Sequence, residues 1–189
     1  MTNITADSIP GYKAGSWTID PSHSSVSFSV RHLMIAKVKG SFDAFTATFV
    51  TGENPLDTKV TADAEVTSIN TNDEARDGHL RTNDFFDAEK FPHITFESTG
   101  VKVKDASEGE YIVTGNLTIK GVTKPVDFDF EFGGFGTDPY GNYKAAATAT
   151  GTIDRTEFDL TWNAALETGG VLVGEKVTIT IEISAALNA

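Results

Sequence analysis

The side-chain period constrains this chain more than any other feature. Val60, Ala62, Ala64 and Val66 alternate with Thr61, Asp63, Glu65 and Thr67, and Val126, Phe128, Phe130 and Phe132 alternate with Asp127, Asp129 and Glu131. A period of two sends successive side chains to opposite faces of a strand. The rhythm recurs in Val26, Phe28 and Val30 against serines, and in Phe45, Ala47 and Phe49 against Thr46, Thr48 and Val50. It continues through Tyr111 to Ile119, Ala145 to Gly151, and Val177 to Ile183. One-sided alternation calls for a sheet with one face buried and one in water. Connections are short, Gly121 suits a tight hairpin, and roughly eight or nine strands in series read as an antiparallel meander. Closing such a meander removes its exposed edges. The expected fold is all-β: an extended antiparallel eight-stranded β-barrel with a short helical insertion near residues 73–90.

Three stretches lack this rhythm. Residues before Gly15 are polar, punctuated by Pro10 and Gly11, and read as a flexible leader (1–14), packed on the wall or mobile, before one barrel domain (15–189). Residues 133–143, rich in Gly with Pro139, read as a loop. Arg155 to Gly174 is irregular yet carries Phe158, Leu160, Trp162, Leu166, Val171 and Leu172, and so long a connection is more often functional than idle.

Composition narrows the function. The 189 residues fit one domain, and 27 acidic against 15 basic side chains give a net charge of −12. That balance argues against nucleic acid, and against binding anionic lipid headgroups through a basic surface. No cysteine is present, so thiolate and disulfide chemistry are excluded. No apolar run of about 18 residues occurs, and no basic region with a following apolar run marks a secretory signal, so a cytoplasmic location is expected.

Charged, imidazole and aromatic side chains crowd between Asn72 and Glu97. Thr71 or Asn72 suits the cap of a helix from Asp73 to Leu80, with Asp73 and Glu74 favouring its N-terminal end. Asp77 and Arg81 stand four apart in the supportive order, and Arg76 and His79 share a face. Gly78 weakens the helix by roughly 1 kcal/mol relative to Ala, so tertiary contacts must hold it. Pro92 ends any helix, and His93 to Glu97 reads as a strand.

The inward face mixes Ala62, Ala64, Gly115, Ala145, Ala147, Ala149 and Gly151 with Phe28, Phe45, Phe49, Phe96, Phe128 and Phe130. An eight-stranded barrel is either filled by side chains or wide enough for one small ligand, and this mixture allows both a cavity and an interdigitated closed core. The histidines His23, His32, His79 and His93 show no spacing of a short metal motif. An enzyme would use His79 or Asp77 as general base with Arg81 as oxyanion partner, but no nucleophile elbow, phosphate loop or paired carboxylates accompany them.

Arg76-Asp77-Gly78-His79-Leu80-Arg81, Asp84-Phe85-Phe86-Asp87 and Phe91-Pro92 closely resemble the signature of the YceI-like polyisoprenoid-binding family. Trp17 to Ser24, Val30-Arg31-His32 with Gly40 and Phe42, Leu117 to Val126, and Ile153-Asp154-Arg155 with Phe158 are similar to it as well. Where the family often has Gly after that Phe, this chain has Asp159. The resemblance implies a lipocalin-like barrel that binds the apolar chain of a polyisoprenoid or isoprenoid quinone in an internal tunnel. It implies a carrier or storage role without enzymatic chemistry or a cofactor, and makes a homodimer plausible. On this reading Phe28, Phe45, Phe49, Ala62, Ala64, Phe96, Val113, Phe128, Phe130, Ala147, Ala149, Trp162 and Ile181 line the tunnel. Arg31, His32, Arg76, His79, Arg81, Phe85 and Phe86 stand at its mouth. The competing readings are an isoprenoid-modifying enzyme using His79 and Asp77, and a closed-core structural or interaction barrel.

Overall fold

The computed structural model describes residues 4–189. In chain order the elements are β1 (Gly15–Ile19), β2 (Ser25–His32), β3 (Ala36–Phe42), β4 (Phe45–Thr51), β5 (Lys59–Glu65), β6 (Ile69–Asn70), α1 (Glu74–Arg81), β7 (His93–Asp105), β8 (Glu110–Ile119), β9 (Val122–Thr137), β10 (Tyr143–Asp154) and β11 (Val173–Leu187). The long strands coincide with the alternating runs, as a buried-in, wet-out wall requires.

Closure rests on β1, which pairs with β4 on one side and β11 on the other: Trp17 lies opposite Phe49 and opposite Leu187. Three strands are interrupted. β1 and β2 both run along β11, with Ile19 opposite Ala185 and Ser25 opposite Glu182, so they form one strand broken at Asp20–Ser24. In the same way β3 and β4 are broken at residues 43–44, and β5 and β6 at Val66–Ser68. Counting each broken pair once gives a closed antiparallel meander of eight strands.

Asp20 shapes the first break. Its Oδ1 accepts hydrogen bonds from the Ser22 amide at 3.0 Å and the Ser22 hydroxyl at 2.6 Å, while Oδ2 accepts from Lys144 Nζ on β10 at 2.6 Å. The Lys144 ammonium, then the Ser22 hydroxyl and the His23 ring, hold its carboxyl well below the usual carboxylate range. A carboxylate whose folded pKa is depressed adds stability that is present above its unfolded pKa of about 3.9 and is lost as pH falls through the folded value. Asp20→Asn should therefore melt below the parent protein near neutral pH, and the gap should narrow as pH falls below about 4. Paired thermal melts across that range check it, and a gap that stays constant to low pH would contradict it.

The inward glycines are seats for aromatic rings rather than sources of empty space. A Cβ at Gly115 would collide with the Phe96 ring and come within 2.6 Å of the Glu97 carbonyl oxygen. One at Gly151 would meet Phe128 at 2.8 Å, and one at Gly40 would meet Phe28 at 2.5 Å. Their expected part in leaving the interior unfilled is thus corrected: a neighbouring strand's ring occupies each vacancy. Gly115→Ala should destabilise by about 2 kcal/mol, because the Glu97 backbone cannot swing away as a flexible side chain would. A denaturant titration showing a loss under about 0.5 kcal/mol would refute that rigidity.

Two further expectations change. The loop expected over residues 133–143 shortens to 138–142: β9 runs to Thr137, β10 starts at Tyr143, and their pairing shifts register between Ala146 and Ala147. Gly134, at φ 120°, permits this irregularity, which hides the strand from a strict period of two. The leader packs over its described residues 4–14, while residues 1–3 lie outside them. Ile4 is buried, the Tyr12 hydroxyl donates to the Gly52 carbonyl at 2.8 Å, and the Tyr143 hydroxyl donates to the Gly11 carbonyl at 2.6 Å. Apolar Ile4, Ile9 and Tyr12 give this polar-looking segment something to bury. At its end of the barrel Phe135 stacks on Tyr143 at 5.7 Å and lies 5.7 Å from Trp17 and 4.8 Å from Phe132.

The opposite end carries α1, the turns that follow it, and the segment before β11. Beneath them lie two buried clusters, Phe85, Leu117, Ile119, Ile153, Phe158 and Leu160, and Phe42, Ala64 and Ile69. The β8–β9 hairpin turns through Lys120 and Gly121, both at positive φ (51° and 75°), as Gly121 suggested. Asp159 takes φ 60°, a left-handed conformation that Gly would adopt freely and Asp tolerates, and its carboxylate lies 3.5 Å from Lys120 Nζ.

Candidate functional site

Between the two ends the alternation leaves an apolar space in two chambers. The larger, about 360 Å³, lies toward α1, and the smaller, about 130 Å³, lies toward the leader. Phe49, Val60, Val113, Phe130 and Ile183 line both, so they form the waist between them. The larger volume falls within the range of pockets that hold one small molecule, about 300 to 1,000 Å³.

Of the residues expected along a tunnel, Phe28, Phe45, Ala62, Ala64, Phe96, Phe128, Ala149, Trp162 and Ile181 line the larger chamber. Phe49, Val113 and Phe130 stand at the waist, and Ala147 lines the smaller chamber with Ala145 and Ala185. The alanines thus leave the room that the glycines do not. Ile9 and Tyr12 line the smaller chamber, so the leader forms part of its wall.

The charged and hydroxyl side chains Arg31, His32, Thr71, Arg76, His79 and Arg155 line the larger chamber at its α1 end, where the β2–β3 hairpin, the helix and the 155–172 segment meet. Their hydrogen bonds show how little of this polarity is free. α1 starts one residue later than expected, at Glu74, and its cap is Asp73, whose carboxylate accepts from the Arg76 amide at 3.0 Å. Asp77 is buried and accepts from both the Thr71 amide (2.9 Å) and hydroxyl (2.5 Å). Arg76 Nε donates to the Thr71 hydroxyl at 2.8 Å and Nη2 donates to the Thr71 carbonyl at 2.9 Å.

The expected Asp77–Arg81 pair does not form. Arg81 instead donates to the carbonyls of Thr67 at 3.1 Å and Ile69 at 3.2 Å, tying the helix to the broken strand, and it does not line the larger chamber. An inward acid beside Thr71 and orphaned carbonyls at a strand break draw the two side chains apart. His79 Nε2 lies 2.8 Å from Asp84 Oδ2, and its ring stands edge-on to Phe85 at 5.2 Å and Trp162 at 4.9 Å. Phe85 is buried as a plug, and Phe86 meets Phe42 edge-on at 6.0 Å. The other histidines are dispersed: His23 pairs with Asp20, His93 with Asp63, and His32 ends β2.

Arg155, not singled out as a site residue by the sequence, is the centre of the mouth. Only 4% exposed, it donates to the carbonyls of Leu160 (2.5 Å), Gly174 (2.7 Å), Trp162 (3.0 Å) and Val173 (3.2 Å). Burial draws its pKa downward, opposed by Glu175 and Asp154. A guanidinium suits this role because its planar fork presents five donors at once. It pins Leu160, Trp162 and Val173 over the larger chamber, which all three line. Leu160 and Leu172 lie outside any regular period, so no sequence signal marked them as lining, whereas Leu117, Ile119, Val177 and Ile179 follow from the same strand parity as the residues named beforehand.

A protein-family profile described as YceI-like domain matches residues 17–185. A UPF0312 protein of Staphylococcus aureus strain N315 is 44% identical over 163 residues, covering 85% of this chain and 91% of the relative. Among solved structures, BcnA of Burkholderia cenocepacia aligns with a TM-score of 0.76 at 22% identity, covering 88% of this chain and 98% of that one. A polyisoprenoid binding domain from Saccharophagus degradans aligns with a TM-score of 0.68 at 13% identity, covering 91% and 98%. At these identities the two structures speak for the fold alone.

Proposed function

Since the chain belongs to the YceI-like family, we propose that it binds the apolar chain of a polyisoprenoid or isoprenoid quinone, or a similar amphiphilic lipid, as a carrier or store. The single observation that carries this reading is the two-chamber apolar cavity walled by Phe, Ile, Val and Ala. The description of the Saccharophagus degradans neighbour as a polyisoprenoid binding domain supports the choice of ligand class.

Burying a hydrocarbon chain gains up to ~0.8 kcal/mol per carbon, and realised affinity for large ligands is nearer ~0.3 kcal/mol per heavy atom. Micromolar binding therefore needs no polar anchor and no cofactor. Arg31, His32, Arg76 and His79 at the α1 end would meet a headgroup, the polar part that stays near water.

On this reading the protein acts as a binder rather than an enzyme. His79 is bonded to Asp84, and Asp77 already serves Thr71. Mass spectrometry of organic extracts from purified protein should find an isoprenoid lipid in stoichiometric amount, and stripped protein should take up an isoprenoid quinone without converting it. Absence of both co-purified lipid and uptake would overturn the reading, and turnover lost in His79→Ala would replace it with the enzymatic one.

A further inference from the structure

The β2–β3 hairpin breaks three local rules at once. Its tip is Leu33-Met34-Ile35, exposed by 41%, 49% and 86%, in a chain whose other exposed large hydrophobics among the described residues are Val50 and Tyr140. Leu33 and Met34 sit at φ 54° and 61°, the left-handed region that Gly, Asn or Asp supplies in tight hairpins without strain. Arg31 and Lys37 stand directly opposite one another across the two strands, a like-charge pairing that weakens a ladder. The Lys120-Gly121 hairpin has glycine at one of its two left-handed positions, whereas the Leu33-Met34 tip has it at neither.

Exposed apolar side chains, backbone strain and facing cations converge where the larger chamber has its polar rim. Arg31 and His32, next to the tip, line that chamber. The tip is also braced by the facing segment: the Leu33 amide donates to the Leu172 carbonyl at 2.8 Å, and Leu172 lines the chamber too.

We propose that this hairpin tip is a membrane-docking element that seats the chamber mouth on a lipid bilayer bearing anionic headgroups. Leu33, Met34 and Ile35 enter the acyl boundary, and Arg31, Lys37 and Lys39 meet the headgroups. Charge selects this occupant. Residues 30–39 hold three basic side chains and no acid in a chain of net charge −12, so an anionic surface is attracted at this hairpin although the molecule as a whole is repelled. The composition-level argument against anionic lipid headgroups thus holds for the whole surface and fails at this one edge. Docking does not depend on which lipid the chambers hold, because of its residues only Arg31 lines a chamber, while Leu33, Met34, Ile35, Lys37 and Lys39 line neither.

Sedimentation with vesicles of equimolar phosphatidylglycerol and phosphatidylcholine tests it. The intact protein should co-sediment, and pure phosphatidylcholine vesicles should bind it more weakly. Ile35→Asp should abolish binding, and Lys37→Glu should reduce it severalfold, each basic residue near an anionic surface being worth about fivefold. The double variant Leu33→Asn with Met34→Gly places residues suited to the left-handed backbone at the tip. It should melt no lower than the parent, keep its lipid content by native mass spectrometry, and still lose vesicle binding at least tenfold. Failure of the parent to bind, or binding unchanged in these variants, would overturn the proposal. So would a dimer that dissociates in the double variant, which would assign the tip to a second copy. Lipid content is read separately, so failure of docking is distinct from failure of the ligand reading.

Discussion

Arg155→Met is expected to destabilise the protein by about 3 to 5 kcal/mol, although it removes no carboxylate partner. The reason is the set of acceptors left behind. Arg155 satisfies four backbone carbonyls from inside the barrel, and a buried acceptor without a partner costs about 1 to 3 kcal/mol, partly recovered where water enters. For a chain of this size each kcal/mol lowers the melting temperature by about 2 to 4 °C, so a fall of roughly 10 °C should be seen by calorimetry. Hydrogen exchange should loosen first over the segment from Leu160 to Gly174. Arg155→Lys should fall between parent and Met variant, because three donors on one point cannot reach four separated carbonyls. A change under about 1 kcal/mol in Arg155→Met would show that solvent already serves those carbonyls.

Ala149→Phe is expected to weaken isoprenoid binding about 20-fold while the barrel stays folded. Ala149 lies in register with Phe130 and Ile181, all lining the larger chamber. A phenyl ring there displaces about six ligand carbons, worth ~0.3 kcal/mol each for a large ligand, or about 2 kcal/mol in all. Ala64→Phe, on β5 in the same chamber, should act alike. Ala147→Phe instead fills the smaller chamber beyond the waist, so it should exclude long tails and leave short ones unaffected. Titration with quinones of increasing tail length separates these outcomes. If Ala149→Phe lowers stability by about 1 to 3 kcal/mol with no change in uptake, the closed-core alternative gains and the chambers are not the ligand site.

These expectations rest unequally on sequence and structure. Strand parity brought Phe28, Phe96, Phe128, Ala62 and Ala149 to one face before any coordinates, because side-chain direction along a strand is set by its own backbone. Phe135 defeated that logic, since the irregularity at Gly134 shifts the period within one strand. Small inward residues were legible as a class but not by role. Whether such a position is empty depends on the ring the adjacent strand brings to it, which is why Gly115 is filled and Ala149 borders a cavity. The α1 end was legible as a cluster but not as bonds. Arg81 and Arg155 donate to carbonyls that only the strand breaks and the irregular segment leave unpaired.

By itself the sequence determined an all-β meander, the buried face of each regular strand, a helix over Asp73 to Leu80 that the structure shifts by one residue, and the hairpin at Gly121, because each depends on neighbours along the chain. Only the tertiary structure decided that β1 closes the ring between β4 and β11, that two chambers meet at a waist, and that a buried arginine holds the mouth. Those features come from contacts between residues far apart in sequence, and no local period encodes the space or the unpaired carbonyls left when distant strands meet.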